Sequence, residues 1–179
     1  MFEIATYPTD AIPSDVAAEL GRVGQAVYPP RPPGSPVDPT HEVEWAGSER
    51  VAVVSADGVV LGGAGLVMRE VDFEGDPVPA CGIGGVFTHP DARRRGVARE
   101  AIAALLEEAR DRGARVGILF CRDELIPLYS RLGWAAFPGS VTVTQHGVPT
   151  GFTFNRAMTI SLDGTSLDAA TLDLHGPPW

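Results

Sequence analysis

The sequence contains no lysine. All 14 basic residues are arginine, against 23 aspartates and glutamates, for a formal net charge of −9. An acidic chain repels phosphodiester backbones and anionic bilayers, so nucleic acid and membrane partners are disfavoured and cationic ones favoured. Without lysine there is no GxxxxGK[ST] loop, which argues against nucleoside triphosphate hydrolysis. Cysteine is scarce. Cys81 and Cys121 belong to no Cys-x-x-Cys pair and no Cys/His cluster, so no zinc site is expected and a reducing, cytoplasmic setting suits them. His41, His89, His146 and His175 lack the HExxH spacing, and no bound metal is expected. No apolar run approaches the ~20 residues of a membrane span. Residues 1–20 carry no basic start followed by an apolar block, so a secretory signal is not expected.

Hydrophobic residues make up 44% of the 179 and charged residues 21%, the composition of a folded chain. Length favours one domain over residues 1–179, which buries roughly 70% of its unfolded surface without a disulfide or metal. Residues 2–7 alternate like a strand, and Pro13-Ser14-Asp15 can open a helix to about Gln25, with Val16, Leu20, Val23 and Val27 in helical register. Residues 28–39 hold too many prolines for a regular element and predict a surface loop bordering a site. Asp57-Gly58 predicts a hairpin between Val51–Ala56 and Val59–Arg69. Glu74-Gly75-Asp76-Pro77 turns into a further strand, Val78–Thr88, in which Gly82, Gly84 and Gly85 mark a bulge or a close ligand approach. Ala98, Ile102, Leu105, Leu106 and Ala109 predict the best helix, stopped by Gly113. Val116–Phe120 reads as a buried strand, and Asp123 as the cap of a short helix through Leu132. Val141–Thr144 and Phe152–Ile160 read as an antiparallel pair around His146-Gly147, and residues 161–179 as a tail. This order predicts a mixed α/β (α+β) sheet, antiparallel in its first half, with one parallel crossover.

Arg93-Arg94-Arg95-Gly96 stands at the start of the best helix. Cations there oppose the helix dipole at a cost of up to about 1 kcal/mol each. An anionic ligand on the free N–H groups reverses that cost, and Gly96 lets it come close to the backbone.

Arg93-Arg94-Arg95-Gly96-Val97-Ala98 resembles the [Q/R]-x-x-G-x-[G/A] loop of the GCN5-related N-acetyltransferases (GNAT). Gly85-Val86-Phe87-Thr88-His89-Pro90 resembles that superfamily's fourth strand, and Leu128-Tyr129-Ser130-Arg131-Leu132-Gly133-Trp134 its Y-x-x-x-G-[F/W] motif. The three occur in the family's order, over about residues 1–160. The resemblance implies a GNAT fold with a splayed, mostly antiparallel sheet and helices on both faces, and acetyl-CoA as acyl donor. It implies that Arg93, Arg94, Arg95, Gly96, Val97 and Ala98 hold the pyrophosphate, and that the main chain of Val86, Phe87 and Thr88 pairs with the pantetheine arm. Tyr129 is implied as the general acid for the leaving thiol, and the main-chain N–H near Val86 as the donor to the thioester carbonyl. Ile160–Ser166, Trp179 and Glu44-Trp45 are similar to the matching parts of the aminoglycoside 2′-N-acetyltransferases, with the nodulation N-acyltransferases sharing part of the layout. Gly84 and Pro177 stand where that subfamily carries acidic residues. The expected acceptor is a small-molecule amine, with a peptide N-terminus, a polyamine or a coenzyme A-binding module without turnover as alternatives. Asp38, Glu44, Trp45, Gly84, Gly85 and Trp179 are the candidate acceptor contacts, with Glu42 and Tyr28 beside them. Glu44, His89 or a water chain is the candidate base. Cys81 and Cys121 are expected to be inert and buried. The apolar stretch Leu167–Leu174 could pack on its own domain or against a second copy in a homodimer.

Overall fold

The computed structural model describes residues 1–30 and 42–179. Asp38, His41 and most of the Pro-rich stretch lie outside the described residues. Strand β1 (Glu3–Pro8) is followed by helix α1 (Ser14–Val27), then β2 (Arg50–Ala56), β3 (Val59–Phe73) and β4 (Asp76–Thr88). Helix α2 (Val97–Asp111) crosses to β5 (Val116–Cys121), and the short α3 (Ile126–Ser130) follows. The chain closes with β6 (Ala135–Ala136), β7 (Ser140–Gln145), β8 (Val148–Gly151), β9 (Arg156–Ser161) and β10 (Thr171–Asp173).

Three two-residue turns set the hairpins. Asp57-Gly58, Glu74-Gly75 and His146-Gly147 all have positive φ at both positions, the left-handed pair whose twist matches the flanking strands. The first two join β2 to β3 and β3 to β4, in antiparallel register from Ala56↔Val59 and from Phe73↔Asp76. The third joins β7 to β8, with Gln145↔Val148 innermost. This corrects the expected pairing of Val141–Thr144 with Phe152–Ile160, since β9 pairs instead with β5, from Val116↔Ser161 to Cys121↔Arg156.

The single expected parallel crossover is β4–α2–β5, in register from Ala80↔Val116 to Ile83↔Leu119. A second parallel pair was not foreseen. Residues 161–179 are no tail: β10 inserts between β3 and β7, antiparallel to the first (Leu172↔Phe73) and parallel to the second (Leu172↔Val141). Leu172 and Leu174 are fully buried in the chain's own core, and Leu167 packs against it.

Alternation along the strands splits the core between two faces. Ala52, Val54, Ala64, Leu66 and Ile83 meet α2, which buries Val97, Ala101, Ile102, Leu105, Leu106 and Ala109. Ile102, Leu105 and Leu106 each contribute about 1.5–3 kcal/mol of burial. The buried stripe runs through Val97 and Ala101, whereas Ala98 is only half-buried. On the opposite face, Val53 and Val60 meet Val23 of α1, and Val67, Val71, Val116, Ile118 and Trp179 form a third cluster. Helices therefore lie on both faces of a mixed, mostly antiparallel sheet. Among the described residues no helix is long and apolar enough to cross a membrane.

Candidate active site

Strands β4 and β5 run together for only four residue pairs and then part, because β4 has its register broken just past Ile83. Gly65 pairs with Gly84, but Gly63 pairs with Phe87, so Gly85 and Val86 bulge opposite one residue of β3. Gly85 adopts φ +55, a conformation glycine reaches without strain. Beyond the bulge β4 pairs with β3 alone, which leaves the main chain of Gly85–Thr88 facing an open fork. Val86, Phe87 and Thr88 are all half-buried there.

Beyond β4, the His89 Nδ1 atom accepts a hydrogen bond from the Asp91 N–H at 3.2 Å, and a turn leads to α2. Arg94 (φ +62) and Gly96 (φ +94) are both left-handed, and no side chain caps the helix. The first-turn N–H groups of Val97, Ala98 and Arg99 precede the first helical bond, from Glu100 N–H to Gly96 O at 3.0 Å. Arg93, Arg94 and Arg95 are exposed and make no ion pair among the described residues, while Arg95 lies over the Phe2 ring at 6.0 Å. Uncapped donors, a dipole end and unneutralised guanidinium groups fit a pyrophosphate. Val97 contributes only its main chain, since its side chain is 1% exposed in the core.

Tyr129 is carried by α3, after β5, and belongs to the same core cluster as Ile83 and Cys121. Asp123 does not cap that helix; it pairs with Arg156 at 3.4 Å, and a 3-10 turn over Asp123–Leu125 leads in. The phenol is 6% exposed and makes no hydrogen bond among the described residues. Burial pushes its hydroxyl up to about 12, with Cys121 and Tyr28 adding to the effect. Burial likewise pushes the Cys81 thiol up to about 12 and the Cys121 thiol to about 11, so neither is a thiolate nucleophile at neutral pH.

The expected acceptor contacts are dispersed. Gly82 and Gly84 do not open the backbone to a ligand on the sheet's second face. A Cβ at Gly82 would lie 2.0 Å from Trp179 Cε2, and one at Gly84 2.8 Å from the Trp179 carbonyl carbon. Trp179 is a buried floor beneath the fork, and its indole Nε1 donates to Ile118 O at 3.0 Å. Its ring is therefore a core element, whereas the carboxylate expected to meet the acceptor has its carbon and an oxygen 2.8 and 3.4 Å from a Cβ at Gly84. The Glu44 carboxylate accepts from His146 N–H at 2.7 Å, which ties it to the β7–β8 turn, and Glu42 is exposed. Trp45 is half-buried, edge-on to Phe152 at 6.2 Å and Phe154 at 6.4 Å.

Two features had not been read from the sequence. Arg69 clips the C-terminal segment, with Nη1 donating to Pro177 O at 2.8 Å and the guanidinium 5.1 Å from the Trp179 ring. A cleft of about 580 Å³ opens beside the end of β5, lined by Arg122, Asp123, Glu124, Phe152, Phe154 and Arg156 among others. Neither Tyr129 nor any residue of Gly84–Ala98 lines it. Arg69 carries no sequence signal, but Phe152-Thr153-Phe154 alternates visibly before Asn155-Arg156. Among the described residues no group of three or more His, Cys, Asp or Glu could hold a metal ion.

Two parallel strands fork beside an uncapped helix start, the arrangement expected of a GNAT fold. Residues 30–137 match the family model for the acetyltransferase (GNAT) domain, and the chain belongs to that family. Solved structures share the fold. The GNAT family N-acetyltransferase YhbS of Escherichia coli, in complex with CoA, is 17% identical, with a TM-score of 0.62 over 97% of this chain and 89% of that one. A GNAT family acetyltransferase of Brucella melitensis, in complex with acetyl-CoA, is 17% identical, with a TM-score of 0.58 over 97% and 96%. Escherichia coli ElaA is 14% identical, with a TM-score of 0.59 over 90% and 100%. Among the curated proteins none matches this chain.

Proposed function

We propose that residues 1–179 form one acetyltransferase domain that moves the acetyl group of acetyl-CoA to a primary amine of a small molecule. The observation that carries this reading is the fork. Gly85–Thr88 presents an unpaired main-chain edge, and it leads directly into the uncapped, arginine-flanked start of α2. Arg93, Arg94, Arg95 and the N–H groups of Gly96, Val97 and Ala98 would hold the pyrophosphate, and the main chain of Val86, Phe87 and Thr88 the pantetheine arm. Acetyl-CoA, when bound, supplies the reactive thioester. The bulge at Gly85-Val86 frees an N–H that can donate to a carbonyl oxygen as charge develops on it.

Tyr129 is the proposed proton donor to the departing thiol. A hydroxyl held near 12 stays protonated at every working pH, so the donor is always loaded. The acceptor nitrogen gives up one proton. The His89 Nδ1 accepts from the Asp91 N–H, so in the neutral ring Nε2 carries the proton and cannot take another, and Glu44 Oε2 accepts from the His146 N–H at the β7–β8 turn. Relay through water is therefore the favoured route for that proton.

The resemblance to aminoglycoside 2′-N-acetyltransferases keeps an aminoglycoside-like acceptor in the test set, together with peptide N-termini and polyamines. Thiol release from acetyl-CoA across such a panel, with product mass, is the test. Turnover on an amine is expected. Binding of acetyl-CoA with no turnover on any amine would replace the enzyme by a binding module.

A further inference from the structure

The cleft beside β5 has a composition that selects among amines. Among the described residues its lining holds two arginines and two acids, and these exposed side chains pair: Arg122 with Glu124 at 3.2 Å and Arg156 with Asp123 at 3.4 Å. The paired lining residues therefore offer a polycation no net negative charge. Its wall is aromatic. Phe152 and Phe154 lie with ring centroids 6.4 Å apart, and Trp45 backs both edge-on. Phe154 is 40% exposed, so the residue remains accessible to a ligand. A volume of about 580 Å³ suits a small molecule.

The cleft is joined to the proposed reaction centre through the chain and through packed rings. Arg122, Asp123 and Glu124 continue β5 directly from Cys121 and lead into the helix that carries Tyr129. Phe120 packs on Phe152 at 5.0 Å and on Trp179 at 6.1 Å, and Trp179 is the floor under Gly84. An aromatic ridge thus runs from the cleft to the fork.

We infer that this cleft holds the body of the acceptor, and that the acceptor is a monoamine on an aromatic or apolar frame rather than a polycation. The inference rests on the acetyltransferase reading for its role, but the ligand class rests on the cleft alone. The rings take up the frame, the balanced lining accommodates one charged group, and the amine extends along Phe120 towards the fork.

The test follows binding and turnover separately. 2-Phenylethylamine, spermidine and an aminoglycoside with a free 2′-amine are titrated against the protein by tryptophan fluorescence, since Trp45 abuts both cleft phenylalanines. Thiol release is measured with the same amines. Phe154→Ala is expected to weaken 2-phenylethylamine about tenfold, in direct affinity and in KM, with kcat changed by less than about twofold. Phe154→Leu keeps apolar bulk and should recover most of the affinity. Spermidine and the aminoglycoside should bind at least about tenfold more weakly than 2-phenylethylamine. Tighter binding of either polycation, no binding of the aromatic amine, or equal affinity in wild type and both variants would overturn the inference. Binding that follows Phe154 without thiol release on any amine would support the ligand class and sink the acetyltransferase reading instead.

Discussion

Replacing Gly82 by alanine should destabilise the protein through one contact. The new Cβ would stand 2.0 Å from Trp179 Cε2, 2.1 Å from Cδ2 and 2.4 Å from Nε1. Carbon atoms settle at about 3.5–4.0 Å, so the indole must retreat by roughly 1.5 Å. Gly82 cannot give way, because it is pinned on both sides, opposite Val67 in β3 and Ile118 in β5. The retreat stretches the 3.0 Å bond from Trp179 Nε1 to Ile118 O past useful length and slides the ring from under Arg69. Overpacking costs about 1–3 kcal/mol and the lost hydrogen bond about 1 kcal/mol, which places the loss near 3 kcal/mol. For a chain of this size that lowers Tm by about 6–12 °C, read by circular dichroism on heating. The control is Trp179→Ala. It costs about 3–5 kcal/mol itself, but it removes the ring that the new methyl strikes. Gly82→Ala in that background should therefore cost much less, a coupling of about 2 kcal/mol. An unchanged Tm for Gly82→Ala, or additive losses in the double variant, would refute the account of the floor.

Other expectations follow from named contacts. Arg69→Ala should cost about 1–2 kcal/mol, seen as a lower urea midpoint, because it removes the 2.8 Å bond to Pro177 O and the cation over Trp179. Stability should fall as pH rises from about 9 towards 12. Cys81, Cys121 and Tyr129 have folded-state values raised to about 12, 11 and 12, so their contribution is complete below the unfolded values and is lost as pH passes the folded ones. Cys81→Ala should make that alkaline loss shallower in urea titrations at fixed pH; an unaltered slope would count against the assignment. Tyr129→Phe should lower kcat more than it raises KM, and an unchanged kcat with chemistry rate-limiting would remove the residue from the reaction.

Local signals in the sequence were strong wherever one element carried its own punctuation. The three left-handed turns and α2, ended by Gly113 at φ +90, needed only adjacent residues. The fork was visible as the glycines of β4, but their purpose was divided. Gly85 serves the bulge, whereas Gly82 makes room for the ring, and Gly84 for the main chain, of a residue nearly a hundred positions away. No local pattern announces such a contact. The same holds for β10. Leu172 and Leu174 alternate, but the three residues of Thr171–Asp173 are too few to register as a strand until β3 and β7 are in place to pair with them. Phe152–Ile160 was misassigned because an apolar run fixes a strand but not its partner, and the His146-Gly147 turn had already joined β7 to β8. Glu44 and Trp45 were legible as residues that could meet an amine. Their engagement with the β7–β8 turn and with Phe152 and Phe154 depends on tertiary packing alone.

The most direct test of the central claim is a calorimetric titration of acetyl-CoA into the wild-type protein, Arg95→Ala and Gly96→Glu. Gly96→Glu sets a carboxylate at the uncapped start of α2, where a Cβ meets only Arg99, at 3.6 Å, but where φ +94 also strains any non-glycine residue, so the thermal transition is compared with that of the wild type. The account predicts binding by the wild type, about tenfold weaker binding by Arg95→Ala and a larger loss in Gly96→Glu, with folding intact by circular dichroism. Equal affinity in all three would contradict it.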